Sequence, residues 1–420
     1  MQKYRLTKYN IISPINNTTS MIFNTLSNAI IELETNIITE LQNGNFSNLD
    51  QDSINYLMKC LIICDFNLKD SDLFESVYKI ECAQTKKIGI TIIPSRICNM
   101  RCTYCIQSNL FNTQAFKFLD LSTLKKIIEW IKINISRWNT EHITVLFYGG
   151  EPLTAADEML INILNEFDSL PCKILYKVYT NGTLINLHHD FLKRINEIEV
   201  TIDGLEDMHN SKRITSSGEG TYAKIISDLK KFISTNPKSD IIIRINVDKN
   251  NRKPLIDIVN EIIAELGKNI TFDFRPLIPY SNTIDNEILH GDLVDTAKAI
   301  CACNRHLKSV GISPRLFTLE CGVSTMSQWV FDTDGNIYKC SEHVAQTNQA
   351  VTNVDIDYLY SNFFKIMNRK FDNECLECKY LGFCIGGCLN QERLNKKKYC
   401  LKDFLDYYIP EIMRILYFNQ

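Results

Sequence analysis

The chain has little net charge and no long hydrophobic run. Its 420 residues carry 46 Lys+Arg against 49 Asp+Glu, a formal charge of −3. That balance offers neither a basic field for nucleic acid nor a polybasic patch for a membrane surface. Apolar runs such as Leu61–Ile63 and Ile241–Ile243 fall far short of the roughly 18 residues a membrane span needs. The start, MQKYRLTKYNIISP, lacks the apolar core of roughly 7–15 residues that a secretory signal carries. There is no internal repeat and no long low-complexity tract. The expectation is a cytoplasmic protein with no nucleic-acid and no membrane partner. What the chain does have is 16 cysteines. In a reducing compartment, cysteines at that density point to metal ligands or reactive thiols before disulfides.

At about 150 residues per domain the length predicts two or three domains. Residues 1–87 read as a small β-plus-helix module: a hairpin-like stretch over 21–34 with turn residues between Asn24 and Asn28, then helical patterns at 36–42 and 50–66. Cys60 and Cys64 fall i, i+4 on the second and read as core thiols. From residue 88 the pattern alternates strands, at 88–94, 143–148, 173–180, 197–202, 241–247 and 270–276, with helices near 121–135, 156–168, 187–195, 222–235 and 254–266. Such βα alternation predicts an α/β fold, either a barrel or an open sheet, with working loops at the carboxyl ends of the strands. The parts are then the module at 1–87, the α/β unit at 88–280, a linker and helix at 281–320, a cysteine-rich segment at 321–405 and a closing helix at 406–420, whose pattern begins near 401. The cysteine-rich segment has too little periodic apolar sequence to hold itself together, and metal–thiolate bonds are the natural substitute.

The first cysteine motif follows the first of these strands: 98-CNMRCTYC-105 spaces Cys98, Cys102 and Cys105 as C-x3-C-x2-C, with Tyr104 before the last. Three thiolates on one loop can hold three corners of a [4Fe–4S] cube and leave one iron open. They fit tetrahedral zinc poorly. On this motif the chain resembles the radical S-adenosylmethionine (SAM) superfamily. The resemblance implies a partial (β/α)6 barrel, SAM chelated at the open iron, and a 5′-deoxyadenosyl radical that takes a hydrogen atom from substrate. It also implies SAM contacts at the loops after later strands: Gly149, Gly150, Glu151 and Pro152, then Asn181, then Thr201, Asp203 and Arg213, with His209 nearby.

A second set reads Cys321-x13-Gly335-x4-Cys340, Cys375-x2-Cys378-x5-Cys384-x3-Cys388 and Cys400. It is similar to the SPASM extension of one radical SAM branch, although the stretch 375–388 taken alone also matches a zinc ribbon. The resemblance implies two auxiliary [4Fe–4S] clusters, three clusters in all. Cys321, Cys340 and Cys388 would hold the nearer one and Cys375, Cys378, Cys384 and Cys400 the outer one. A further cysteine present in some members is Arg315 here. The nearer cluster is therefore open to substrate thiolate or completed by Cys303 or Cys301. Cys82 and Cys172 stand outside every pattern.

SPASM-type enzymes mostly modify peptides and proteins. The sulfatase-maturating branch carries an aspartate directly after the Gly-x4-Cys element, where this chain has Ser341 followed by Glu342, the two candidate catalytic residues. The module at 1–87 resembles the winged-helix-like element by which peptide maturases hold a leader peptide, its alternative being a cap on the barrel. The expected activity is maturation of a ribosomally made precursor peptide by an intramolecular thioether or carbon–carbon cross-link, with an electron donor of flavodoxin or ferredoxin type. Protein-directed oxidation, peptide epimerisation, and a non-enzymatic electron-transfer or zinc-binding role are the alternatives.

Overall fold

The structure is a computed structural model that describes residues 3–107, 116–236, 239–278, 293–317, 319, 321–396 and 398–417. Six strands form its parallel centre: β6 (Lys87–Ser95), β7 (His142–Gly149), β8 (Lys173–Thr180), β9 (Glu197–Thr201), β10 (Asp240–Val247) and β11 (Thr271–Pro276). Each pairs in parallel with its successor, as right-handed βα crossovers require. This is the expected α/β partial barrel. In β7 the burial alternates strictly: Ile143, Val145 and Phe147 are buried in the core, while Leu146 and Tyr148 line the central cavity. That two-residue period separates core from site.

The covering helices follow the sequence pattern closely. The helix α4 (Leu121–Trp138) starts at Asp120, whose carboxylate accepts from Thr123 N at 2.8 Å, a capping bond worth about 1 kcal/mol. It buries Leu124, Ile127, Ile128, Ile131 and Ile135, one stripe at helical spacing. The pattern expected at 187–195 is instead two short turns, Ile185–Leu187 and His189–Leu192. The helix expected at 291–310 spans Leu293–Ser309, its expected first residues and the linker 281–292 lying outside the described residues. It packs against the closing helix Lys402–Tyr417.

The N-terminal module holds an antiparallel sheet of β2 (Asn10–Pro14), β3 (Thr19–Asn24) and β4 (Ile30–Glu34), so the expected hairpin is present. The second expected helix ends early. It runs over α2 (Gln51–Lys59), Leu61 turns left-handed at φ 55°, and Ile63–Asp65 becomes a strand, β5, paired with β1 (Tyr4–Leu6). The cause is side-chain competition for backbone: buried Asn24 donates to Leu61 O at 2.8 Å and Thr7 N to Ile62 O at 3.0 Å, bonds that a continuing helix forbids. Cys60 and Cys64 therefore do not share a helix face. A third helix, α3 (Asp70–Cys82), comes next.

The C-terminal segment extends the central sheet. Its strand β12 (Gln328–Phe331) pairs in parallel with β6, and β13 (Asn336–Tyr338) and β14 (Thr352–Asn353) continue it antiparallel. Buried Arg96 reaches from the end of β6 to Asp332 and Asp334, both at 2.6 Å, and fastens the β12–β13 turn to the chain leading into the first cysteine loop. The N-terminal module packs on this segment. Thr25 Oγ1 donates to Lys379 O at 2.5 Å and Lys8 Nζ to Leu376 O at 2.7 Å. Phe23 meets Phe383 edge-on and Phe74 meets Phe371. A methyl group at Gly382 would lie 2.6 Å from Thr25 O. Among the described residues no helix is long and apolar enough to cross a membrane.

Candidate functional site

One cavity of about 1970 Å³ opens at the carboxyl ends of the barrel strands, and all ten cysteines of the two motifs line it. The thiols of Cys98, Cys102 and Cys105 lie within electrostatic reach of one another; burial pushes Cys98 up to about 12 and Cys105 up to about 11. Buried thiols held neutral in this way need a cation to become thiolates, which is what an iron–sulfur cluster supplies. Downstream, Cys340 lies within electrostatic reach of Cys321 and Cys388, and Cys384 within that of Cys378, Cys375 and Cys400. Among the described residues no three His, Cys, Asp or Glu side chains converge tightly enough to share one metal ion. Cubane ligands each take a different iron, so three thiols on one loop, at Cys98, Cys102 and Cys105, suit such a cluster.

The glycines after β7 serve the cysteine loop directly. Gly149 adopts φ +133°, and a methyl group at Gly150 would stand 2.5 Å from Ile97 O, against the chain entering Cys98. Glu151 is buried, and burial pushes its carboxyl up. It accepts from Thr180 Oγ1 at 2.7 Å, Asn181 N at 2.7 Å and Leu153 N at 3.1 Å. Its carboxylate thus ties the ends of β7 and β8 together at the cavity wall. Asn181 in turn donates to Asn99 Oδ1 at 2.9 Å, inside the first motif.

Opposite lies a polar network. Tyr104 donates to Asp203 Oδ2, and its hydroxyl accepts from Arg213 Nη1 at 2.6 Å. Asp203 also accepts from Asn246 N at 2.8 Å. Burial disfavours the Arg213 charge, but Cys102, Tyr104 and Asp203 hold it protonated. Arg213 Nε has no partner though buried, which suits an anionic group arriving in the cavity. Of the residues singled out in the sequence, Tyr104, Gly149, Gly150, Glu151, Asn181, Thr201 and Arg213 line the cavity; Pro152 and Asp203 stand behind it. His209 is fully buried away from the cavity, its Nδ1 accepting from Asp203 N at 3.3 Å.

One expectation is corrected. Cys301 and Cys303 are both buried in the core, with Cys303 Sγ facing Leu255 O at 3.9 Å, and neither lines the cavity. They cannot complete the nearer cysteine set. The lumen also carries a polar ladder that no sequence motif marked: Arg244 donates to Glu199 at 3.2 Å, and Asn246 and Arg275 line the wall with Tyr148 and Tyr179. The available signal was charge at alternate positions within Ile-rich strands.

Residues 92–279 match the model of the radical SAM superfamily. The chain is 23% identical to a cysteine-type anaerobic sulfatase-maturating enzyme of Clostridium novyi, over 74% of this chain and 90% of that one. It is also 23% identical to the radical SAM cyclopropyl synthase TigE of Paramaledivibacter caminithermalis, over 81% and 76%. In fold it resembles Streptococcus suis SuiB bound to its precursor peptide SuiA, with TM-score 0.56 and 15% identity, over 94% of this chain and 97% of that one. Residues 92–279 thus form a radical SAM domain, and with these enzymes as relatives the chain is an enzyme.

Proposed function

We propose that the chain is a peptide maturase with two auxiliary [4Fe–4S] clusters, which cross-links a ribosomally made precursor. The observation that carries this reading is that one cavity joins the loop of Cys98, Cys102 and Cys105 to seven further cysteines, leaving room for a peptide between radical initiation and electron acceptance. When bound, the first cluster and SAM supply a radical able to abstract a hydrogen atom. The chain's own part is placement. Arg213 would pair with the SAM carboxylate, Glu151 and Asn181 fix the loop ends around the first motif, and Tyr104, braced by Asp203, closes the wall. Cys321, Cys340 and Cys388 hold the nearer auxiliary cluster and Cys375, Cys378, Cys384 and Cys400 the outer one.

The outer edge of β4, the terminal strand in the sheet order β2-β3-β4, accepts an extended leader by β-augmentation, and the module's seat on residues 371–383 directs the core peptide behind that leader toward the cavity. Thioether formation is the leading chemistry because three cysteines of this chain serve the nearer cluster, leaving one iron on which a substrate thiolate can bind. Anaerobic coexpression with the short open reading frame beside the gene tests the reading. A cross-linked product loses two hydrogens per bond, whereas an epimerised one keeps its mass. Replacing Cys98, Cys102 and Cys105 together by Ala abolishes 5′-deoxyadenosine; its persistence refutes the reading. Protein-directed oxidation remains the second reading, favoured by the 90% coverage of the sulfatase-maturating relative and decided by whether a protein or a peptide is the modified product.

A further inference from the structure

With Cys301 and Cys303 excluded, the fourth iron of the nearer cluster needs another account, and the turn after Cys340 offers one. Ser341–His343 forms a single helical turn, and the Glu342 backbone N–H points at Cys340 Sγ. The Glu342 side chain is then tied to the far side of the same cysteine set. Its Oε2 accepts from Asn390 Nδ2, and Asn390 lies two residues after Cys388, whose sulfur accepts from the backbone of Asn390 and Gln391. Glu342 is thus held between Cys340 and Cys388, on the wall of the cavity that Cys321 also lines. Asn390 Oδ1 meets His343 Nε2 at 2.9 Å and accepts from Arg393 Nη2 at 2.8 Å, so the amide's orientation is set by several partners. Its NH₂ is directed at Glu342 as a bond from the second layer that orients a ligating group.

We propose that the Glu342 carboxylate is the fourth protein ligand of the nearer auxiliary cluster, through Oε1, with Asn390 as its positioning residue. This rests on the cluster assignment made above. A carboxylate is a hard ligand on iron and gives way to a thiolate. A substrate thiol takes its place by forming an Fe–S bond as the Fe–O bond breaks, its proton leaving with the released carboxylate. The site is therefore closed until a thiol arrives.

The test uses the full chain reconstituted anaerobically with iron and sulfide, in a background where Cys98, Cys102 and Cys105 are Ala so that only auxiliary clusters contribute. About eight irons per chain, as two cubanes require, are expected; about four or fewer overturns the cluster assignment itself. Given about eight, Glu342→Ala shifts the paramagnetic resonance signal of one reduced cluster, and ¹³C-labelled cyanide then couples to it. The parent shows no such coupling, and Glu342→Cys restores the closed site with a lower midpoint potential. Cyanide coupling to the parent as strongly as to Glu342→Ala, a signal indifferent to both substitutions, or a shift found in His343→Phe instead, overturns the proposal.

Discussion

Arg213 keeps its charge against burial through Cys102, Tyr104 and Asp203. Truncating it to Met removes a charge-assisted contact worth about 1.5–3 kcal/mol. SAM affinity, measured by equilibrium binding to the reconstituted protein, is expected to fall about ten- to a hundredfold. His209 acts one layer further out. Because Nδ1 accepts from Asp203 N, the proton sits on Nε2, which meets Thr221 Oγ1 at 3.0 Å; that hydroxyl donates to Arg213 O at 2.8 Å. Burial, then Arg213 and Lys212, lower its pKa to about 3. The folded state therefore resists protonation that the unfolded state accepts below about 6.5. Stability is full above that pH and falls by about 1.4 kcal/mol per pH unit as the pH drops toward 3. Urea unfolding across that range should show the slope, and His209→Gln should flatten it. At this scale the cysteines were legible because their spacing is local. Glu342 was legible as a candidate, but its partner Asn390 lies 48 residues away, and no local spacing reveals such a bond.

Two connections between elements carry the geometry of the first cysteine loop. Arg96 and Asp332 form a buried ion pair across β6 and β12, and removing one partner strands the other charge at about 3–5 kcal/mol. Arg96→Met should lower the unfolding midpoint in urea markedly, where a surface substitution such as Lys193→Met should not. At Gly150 the methyl group of alanine collides with backbone and must move either the end of β7 or the chain into Cys98. Gly150→Ala should cost iron at the first motif, read as irons per chain, whereas Gly267→Ala, with open space around it, should keep full iron at a backbone cost of about 1–3 kcal/mol, since Gly267 sits at φ 80° and ψ −174°. The barrel strands and most helices were legible because period and length agree. The break in the helix pattern at Leu61 was not, since it depends on Thr7 and Asn24 competing for its carbonyls. Nor was α3, which buries only Leu73, Phe74 and Cys82 and so shows a weak apolar stripe.

Across the whole molecule the cysteine-rich segment joins the other parts: it extends the barrel sheet on one side and seats the N-terminal module on the other. Under the cluster assignment, removing iron should loosen residues 371–400 and the module together. Limited proteolysis of chelator-treated protein should cut in both, while the barrel strands stay protected; cutting in the segment alone would show that the module holds its own seat. The division into barrel and cysteine-rich segment was legible from composition, but the docking of the module was not, because Phe23 and Phe74 look like ordinary core residues until Phe383 and Phe371 are placed against them.

The three tryptophans of the chain gather in one place: Trp130 meets Trp138 and Trp329 edge-on, and Trp138 stacks on Trp329. Lys339 Nζ lies 3.9 Å from the Trp329 ring centre, and the next residue is Cys340. All indole emission therefore originates near Cys340. Under the cluster assignment, iron–sulfur chromophores assembled around the cavity would quench it by energy transfer, an optical gauge of cluster loading readable without label or substrate.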